Sequence, residues 1–193
     1  MFIQQLIALT DKIILGIDPG TVIMGYGLVH VKGTKLNLIA CGIIRLDKHT
    51  EQADRLKVIF EQVTKIIETH IPDELAIEAP FFGKNVQSML KLGRAQGVAI
   101  AAALARNVPI SEYSPKKIKQ SITGNGNASK EQVAAMLQTL LNVNELHNYL
   151  DASDALGAAV CHYFQTKSLG GEKGKQAYTG WKAFLTDNPA RKG

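Results

Sequence analysis

The 193-residue chain is predicted to adopt an α/β fold, a five-stranded mixed sheet flanked by helices. Three observations predict it. Short apolar, β-branched runs at 13–17, 26–31 and 36–44 stand close together near the start, separated only by turn residues. After them the apolar period switches from that of a strand to that of a helix and back again. The composition, 46% hydrophobic and 20% charged, is that of a globular chain able to bury a core without staples.

Each element follows from its residues. Ile13-Ile14-Leu15-Gly16-Ile17 reads as a buried central strand and stops at the turn signal Asp18-Pro19-Gly20. Tyr26 to Val31 and Leu36 to Ile44 are two further strands, and Lys32-Gly33-Thr34-Lys35 between them suits a hairpin. The three make an antiparallel meander. From Glu51 to Thr69, Leu56, Ile59, Phe60, Val63, Ile66 and Ile67 recur at spacings of three and four, an amphipathic helix that Ile71-Pro72-Asp73 ends. Leu75 to Glu78 is a short strand stopped by Pro80, and an Ala- and Gly-rich helix runs from about Asn85 to Arg106. Val108 to Tyr113 is the fifth strand. Ser114-Pro115 opens the next helix as N-cap and first position. Ser129 with Gln132 is a capping box for a helix to about Leu141. The last helix begins near Asp151, with Ala155, Leu156, Ala159, Val160, Tyr163 and Phe164 as its core stripe. The order βββαβαβααα leads from the meander into crossovers, which gives a mixed sheet. Residues 1–12 read as an N-terminal extension, 13–167 as the folded domain, and 168–193 as a basic, mobile tail with a short helix around Trp181 to Leu185.

Charge narrows the function. The net charge is +5. Much of it lies at 165–193, where Lys167, Lys173, Lys175, Lys182, Arg191 and Lys192 face only Glu172 and Asp187. The folded part is nearly neutral but unevenly charged. Between 80 and 135, Lys84, Lys91, Arg94, Arg106, Lys116, Lys117, Lys119 and Lys130 oppose only Glu112 and Glu131. That basic middle is an electrostatic footprint for a polyanion. The two cysteines, Cys41 and Cys161, form no C-x-x-C pair, which argues against a disulfide scaffold or zinc ribbon and fits a reducing, cytoplasmic setting. No apolar run reaches the roughly 18 residues of a membrane span, and Met1 to Thr10 does not read as a signal peptide.

Four acids stand at telling places. Asp18 closes the first strand and Glu78 ends the fourth, while Asp151 and Asp154 share one face at the start of the last helix. Strand ends and helix starts meet at one rim of an α/β sheet. Carboxylates gathered there repel one another unless a cation lies between them. Hard oxygen ligands suit Mg²⁺, with Mn²⁺ as a substitute. Two such ions about 4 Å apart clamp the attacking and leaving oxygens of a phosphodiester, and the basic surface beside them would hold a nucleic-acid backbone. Singly, each acid has a structural use as turn residue or helix-start anion; together, on this element order, they point to chemistry.

The chain resembles the RuvC family of Holliday junction resolvases over about Ile13 to Phe164. The motifs that carry the resemblance are Gly16-Ile17-Asp18-Pro19-Gly20-Thr21 with Gly25-Tyr26-Gly27, then Ile77-Glu78 with Phe81 and Lys84-Asn85. Leu92-Gly93-Arg94-Ala95-Gln96-Gly97-Val98, Tyr113 with Lys119-Gln120, and Asp151-Ala152-Ser153-Asp154-Ala155 follow in order. The resemblance implies the ribonuclease H-like fold of the integrase superfamily, with catalytic, metal-binding acids at Asp18, Glu78, Asp151 and Asp154. It implies Mg²⁺-dependent incision of opposing strands of a four-way junction by a homodimer, in recombination and repair, leaving ends a ligase can seal. A branch-migration complex of the RuvA and RuvB type is the partner it implies. It places Phe81 at the DNA surface, stacking on a base of the opened junction. It also places Lys119 and Lys130 beside the scissile phosphate. Lys84, Lys91 and Arg94 at spacings of seven and three would form a phosphate track, and Lys116 and Lys117 extend the basic surface. Gly93 and Gly97 permit close approach of another backbone, either the sheet or the same helix of a second subunit. An actin-like ATPase shares the Asp-x-Gly-Thr pattern, but it needs about twice this length and a second phosphate loop. A ribonuclease H proper is the nearest relative in this class, but the stretch around Phe81 and Arg94 favours the resolvase, and the presence of all four acids argues against a purely binding module.

Overall fold

The computed structural model describes residues 11–80, 85–143 and 150–170, with only the backbone described at 150–151 and 168–170. Strands β1 (Asp11–Asp18), β2 (Ile23–Lys32) and β3 (Lys35–Arg45) form the expected meander. Helix α1 (Gln52–His70), strand β4 (Glu74–Glu78), helix α2 (Val86–Leu104) and strand β5 (Ile110–Tyr113) follow. Helices α3 (Pro115–Thr123), α4 (Lys130–Leu141) and α5 (Leu150–Gly170) complete the described elements. The sheet order is β3-β2-β1-β4-β5. β1 pairs antiparallel with β2 and β2 with β3, while β4 runs parallel to both β1 and β5.

Several expected local signals are present. The Ser114 side chain accepts from Lys117 N at the start of α3, and the Ser129–Gln132 capping box opens α4. Asn85 caps α2 by accepting from Ser88 N. α1 stops where Ile71 turns left-handed (φ 48°) ahead of Pro72. β5 begins at Ile110, two residues after the predicted start, because Pro109 has no N–H for the ladder; its carbonyl still accepts from Leu75 N. β1 begins at Asp11, inside the expected extension, and α5 runs to Gly170, past the expected start of the tail. The other residues of those segments, the helix expected near Trp181 included, lie outside the described residues.

Period-two alternation divides the core. Leu15, Ile17, Leu75 and Ile77 face α1 and α2, where they bury Ile59, Val63, Ile67, Ala95, Ala99 and Ala102. Ile14 and Ala76 face the other way, against Leu156, Ala159 and Val160 of α5, which Ile118, Ile122, Val133 and Leu137 cover in turn. α5 therefore lies between the sheet and α3–α4. It is buried almost all round rather than along the single predicted stripe, and Ala152, Ala158 and Cys161, outside that stripe, are as enclosed as Leu156. Phe60, expected in the core stripe of α1, is 39% exposed on its flank. A register shift at Leu28/Val29 leaves Ile39 of β3 unpaired and outward.

Candidate active site

The same alternation that turns Ile14 and Ala76 toward α5 turns Asp18 and Glu78 toward it as well. The parallel register pairs Ile17 with Ile77. Asp18 and Glu78 are each the next residue along, so the two strands deliver neighbouring carboxylates at their carboxyl ends. Asp154 comes from the first turns of α5, which lies across the same face.

Two glycines set how closely α5 can approach. A Cβ on Gly16 would lie 1.9 Å from the Ala155 carbonyl oxygen. One on Gly27, the register partner of Gly16, would lie 2.5 Å from Leu156 Cδ2. No side chain fits either position. α5 therefore sinks onto the paired glycines at Ala155 and Leu156, the residues that follow Asp154. An isolated glycine in an apolar strand signals such an approach.

The electrostatics show that these acids face one another. Burial, then the Asp18 and Asp154 carboxylates, push Glu78 up to about 7, while Lys130 and Lys119 pull the other way. Lys130 Nζ lies 2.7 Å from Asp154 Oδ2. Lys119 Nζ donates to the Ala128 carbonyl at 2.8 Å, which ties α3 to the loop that enters α4. Three of the four expected acids and two of the expected lysines thus converge. Asp151 lies on the first turn of α5, with its side chain outside the described residues. Among the described residues no three His, Cys, Asp or Glu side chains form a ready-made metal cage. The donor set nevertheless fits a hard divalent ion: carboxylate oxygens, among them those of Glu78, whose pKa is raised by burial first and then by the facing acids.

The other expected residues are more dispersed. Lys91 and Arg94 are exposed on α2, across the sheet from α5. Lys116 and Lys117 are exposed on α3, and Lys116 packs against Gly126. Phe81 and Lys84 lie outside the described residues. Gly93 and Gly97 meet nothing within 4 Å of an added Cβ, so the sheet is not what approaches them. A cleft of about 430 Å³ between α1 and β3 is lined by Tyr26, Ile43, Arg45 and Lys65 among others and holds no carboxylate.

Two features near the site were not legible in the sequence. Gln96, 7% exposed, donates from Nε2 to Glu112 Oε2 at 2.8 Å and lies 3.4 Å from the Glu78 carbonyl. On the α5 face, Glu74 Oε2 accepts from Lys12 Nζ at 2.5 Å and from His162 Nε2 at 2.8 Å. Tyr113 Oη lies 2.7 Å from His162 Nδ1. These bonds pin Glu74 down to about 2, the His162 hydrogen bond being the largest cause.

Comparison with known proteins agrees with this geometry. The family model described as "Crossover junction endodeoxyribonuclease RuvC" matches residues 14–162. A protein of that name from Cytophaga hutchinsonii is 62% identical over 179 residues, covering 93% of this chain and 87% of the relative. One from Porphyromonas gingivalis is 58% identical over 181 residues, covering 93% and 96%. Thermus thermophilus RuvC, solved in complex with a Holliday junction substrate, superposes with a TM-score of 0.77 at 31% identity, over 81% of this chain and 96% of its own. The ribonuclease H-like fold inferred from the motifs is the fold observed, and the chain belongs to the RuvC family of crossover junction endodeoxyribonucleases.

Proposed function

We propose that Asp18, Glu78, Asp151 and Asp154 are the ligands of two Mg²⁺ ions, replaceable by Mn²⁺, at which the chain hydrolyses the phosphodiesters of a four-way DNA junction. Family membership makes the chain a junction-resolving nuclease; the metal and the residue roles are the added reading. The observation that carries it is the convergence of Asp18, Glu78 and Asp154 at the carboxyl ends of two parallel strands, with Lys119 and Lys130 beside them.

The bound ions supply Lewis acidity and a bound water of lowered pKa. The chain's own residues do the rest. Asp18 and Glu78, fixed by strand register, present oxygens from the sheet. Asp154, and Asp151 one turn earlier, present them from α5. Glu78, whose pKa is raised by burial and by the facing Asp18 and Asp154 carboxylates, would be a ligand whose charged form a nearby cation favours. Lys119, held by the Ala128 carbonyl, stays near the rim, where phosphate charge develops in the transition state. Lys130, beside Asp154, joins Lys119 near the scissile phosphate, and Lys91, Arg94, Lys116 and Lys117 supply backbone contacts. Phe81 and Lys84, on the segment leaving β4, supply a stacking surface and a further phosphate contact.

The same reading makes the chain a homodimer that acts in the cytoplasm with a RuvA- and RuvB-type branch-migration complex. The face of α2 supports the dimer. Val86 (66% exposed), Leu90 (51%), Gly93, Gly97 and Leu104 (55%) form one outward stripe with nothing over its glycines. A second copy of α2 can lie close along it about a two-fold axis. Among the described residues, no helix is long and apolar enough to cross a membrane.

The deciding assay offers a synthetic four-way junction, a linear duplex and an RNA–DNA hybrid, each with and without Mg²⁺. Symmetric, Mg²⁺-dependent nicks in the junction alone are expected. Cleavage of the hybrid instead, or junction cleavage with every divalent ion chelated, would overturn the reading.

A further inference from the structure

The position of Lys130 is unexpected for the helix that bears it. It is the first residue of α4, where the positive end of the helix dipole disfavours a cation. α4 does not need it there: Ser129 and Gln132 complete the capping box, and Glu131 supplies the favourable anion in the first turn. The Lys130 ammonium instead reaches over to Asp154, 2.7 Å from Oδ2. The Asp154 side chain is 23% exposed, whereas that of Lys130 is 60% exposed. A long, solvated side chain thus covers a recessed carboxylate that also faces Glu78.

We propose that Lys130 is a placeholder cation: in the metal-free protein its ammonium occupies Asp154, and a divalent ion must displace it to bind. This rests on the reading of the acid cluster as the metal site. Two like charges cannot share one carboxylate oxygen at contact distance without strong repulsion. Lys130 and the metal therefore compete, and the pairing keeps the acids from repelling one another while the site awaits its ion. An exposed pair is worth little, so the competition is modest and the lysine leaves readily. Lys119 differs, because its amine is tied to the Ala128 carbonyl.

The test measures Mn²⁺ binding alone, without DNA, by electron paramagnetic resonance of the free ion. It uses the full-length protein, K130A, K130Q and K130R, with D18N as control. K130A and K130Q are expected to bind Mn²⁺ about five-fold more tightly than the unmodified protein at low salt. K130R should retain the original affinity, and the gap should narrow at high salt. K130Q keeps the side-chain stem, so it answers for any folding defect in K130A. Unchanged or weaker Mn²⁺ binding in a folded K130Q would overturn the placeholder role. D18N should lose tight Mn²⁺ binding. If D18N binds as the unmodified protein does, the acid cluster is not the metal site and the placeholder falls with it. If D18N fails to bind while K130Q is unchanged, only the placeholder falls.

Discussion

Glu74 and Glu78 lie on one strand, four residues apart, on the same face of the sheet and under the same helix. Their pKa values are shifted in opposite directions. Glu74 is held down to about 2, by His162 first and by Lys12. Glu78 is pushed up to about 7, by burial first and then by Asp18 and Asp154. The difference is one of neighbours, not of residue type or of element. At the lower end of α5 the acid has been given its cations by the chain, and the result is a polar clamp joining β1, β4, β5 and α5. At the upper end the chain gathers acids, and Lys130 and Lys119 only partly offset their effect on Glu78. A carboxylate joined to cations is stabilised in its charged form, whereas one buried among other acids is stabilised in its neutral form.

The strongest way to break this contrast is to remove charge from the upper end. D18N and E78Q should each lower junction cleavage about a thousand-fold or more while leaving junction affinity nearly unchanged. Equal loss of binding and cleavage, measured by gel shift and single-turnover kinetics, would make these acids structural. Next in size is G16A, which probes the contact that holds the two ends in one register. Its Cβ would strike the Ala155 carbonyl, so a loss of about 3 kcal/mol or more in urea unfolding is expected.

The pH dependence of stability sharpens the comparison, because the two acids act with opposite sign. The lowered folded pKa of Glu74 contributes stability above the unfolded value of 4.5 that is lost as pH falls through about 2. E74Q should flatten the acid arm of that curve. The raised folded pKa of Glu78 works the other way, and metal-free stability falls as pH rises from 4.5 through about 7. E78Q should remove that loss, which thermal denaturation between pH 4 and pH 8 in chelator would read. The smallest effect concerns the basic surface outside both ends. K91Q and R94Q should each weaken junction binding a few-fold and reduce its salt slope by about one, with cleavage of the bound junction unchanged.

Much of the fold was legible because its signals are local. The succession of elements along the chain, the Ser114 and Ser129 caps and the close of α1 at Ile71-Pro72 each depend on residues within a few positions of one another. The candidate acids were legible for a related reason: Asp18 and Glu78 end strands and Asp154 starts a helix, and such ends share a rim in this class of fold. The burial of α5 was under-read, since its small residues look like gaps in a stripe until α3 and α4 cover them. Phe60 was over-read, since helical spacing does not say how wide the buried face is. The role of His162 was not legible, because its partners Glu74 and Tyr113 lie on two strands distant in sequence.

The sequence by itself determined which residues alternate, where elements begin and end, and which carboxylates stand at those ends, all through steric and hydrogen-bonding preferences of short reach. Only the tertiary structure decided what each carboxylate became. A pKa depends on charges and burial within a few ångströms, and those neighbours come from distant parts of the chain: Lys12 and His162 for Glu74, Asp18 and Asp154 for Glu78. The paired glycines Gly16 and Gly27, by letting α5 down onto the sheet, bring those distant groups together.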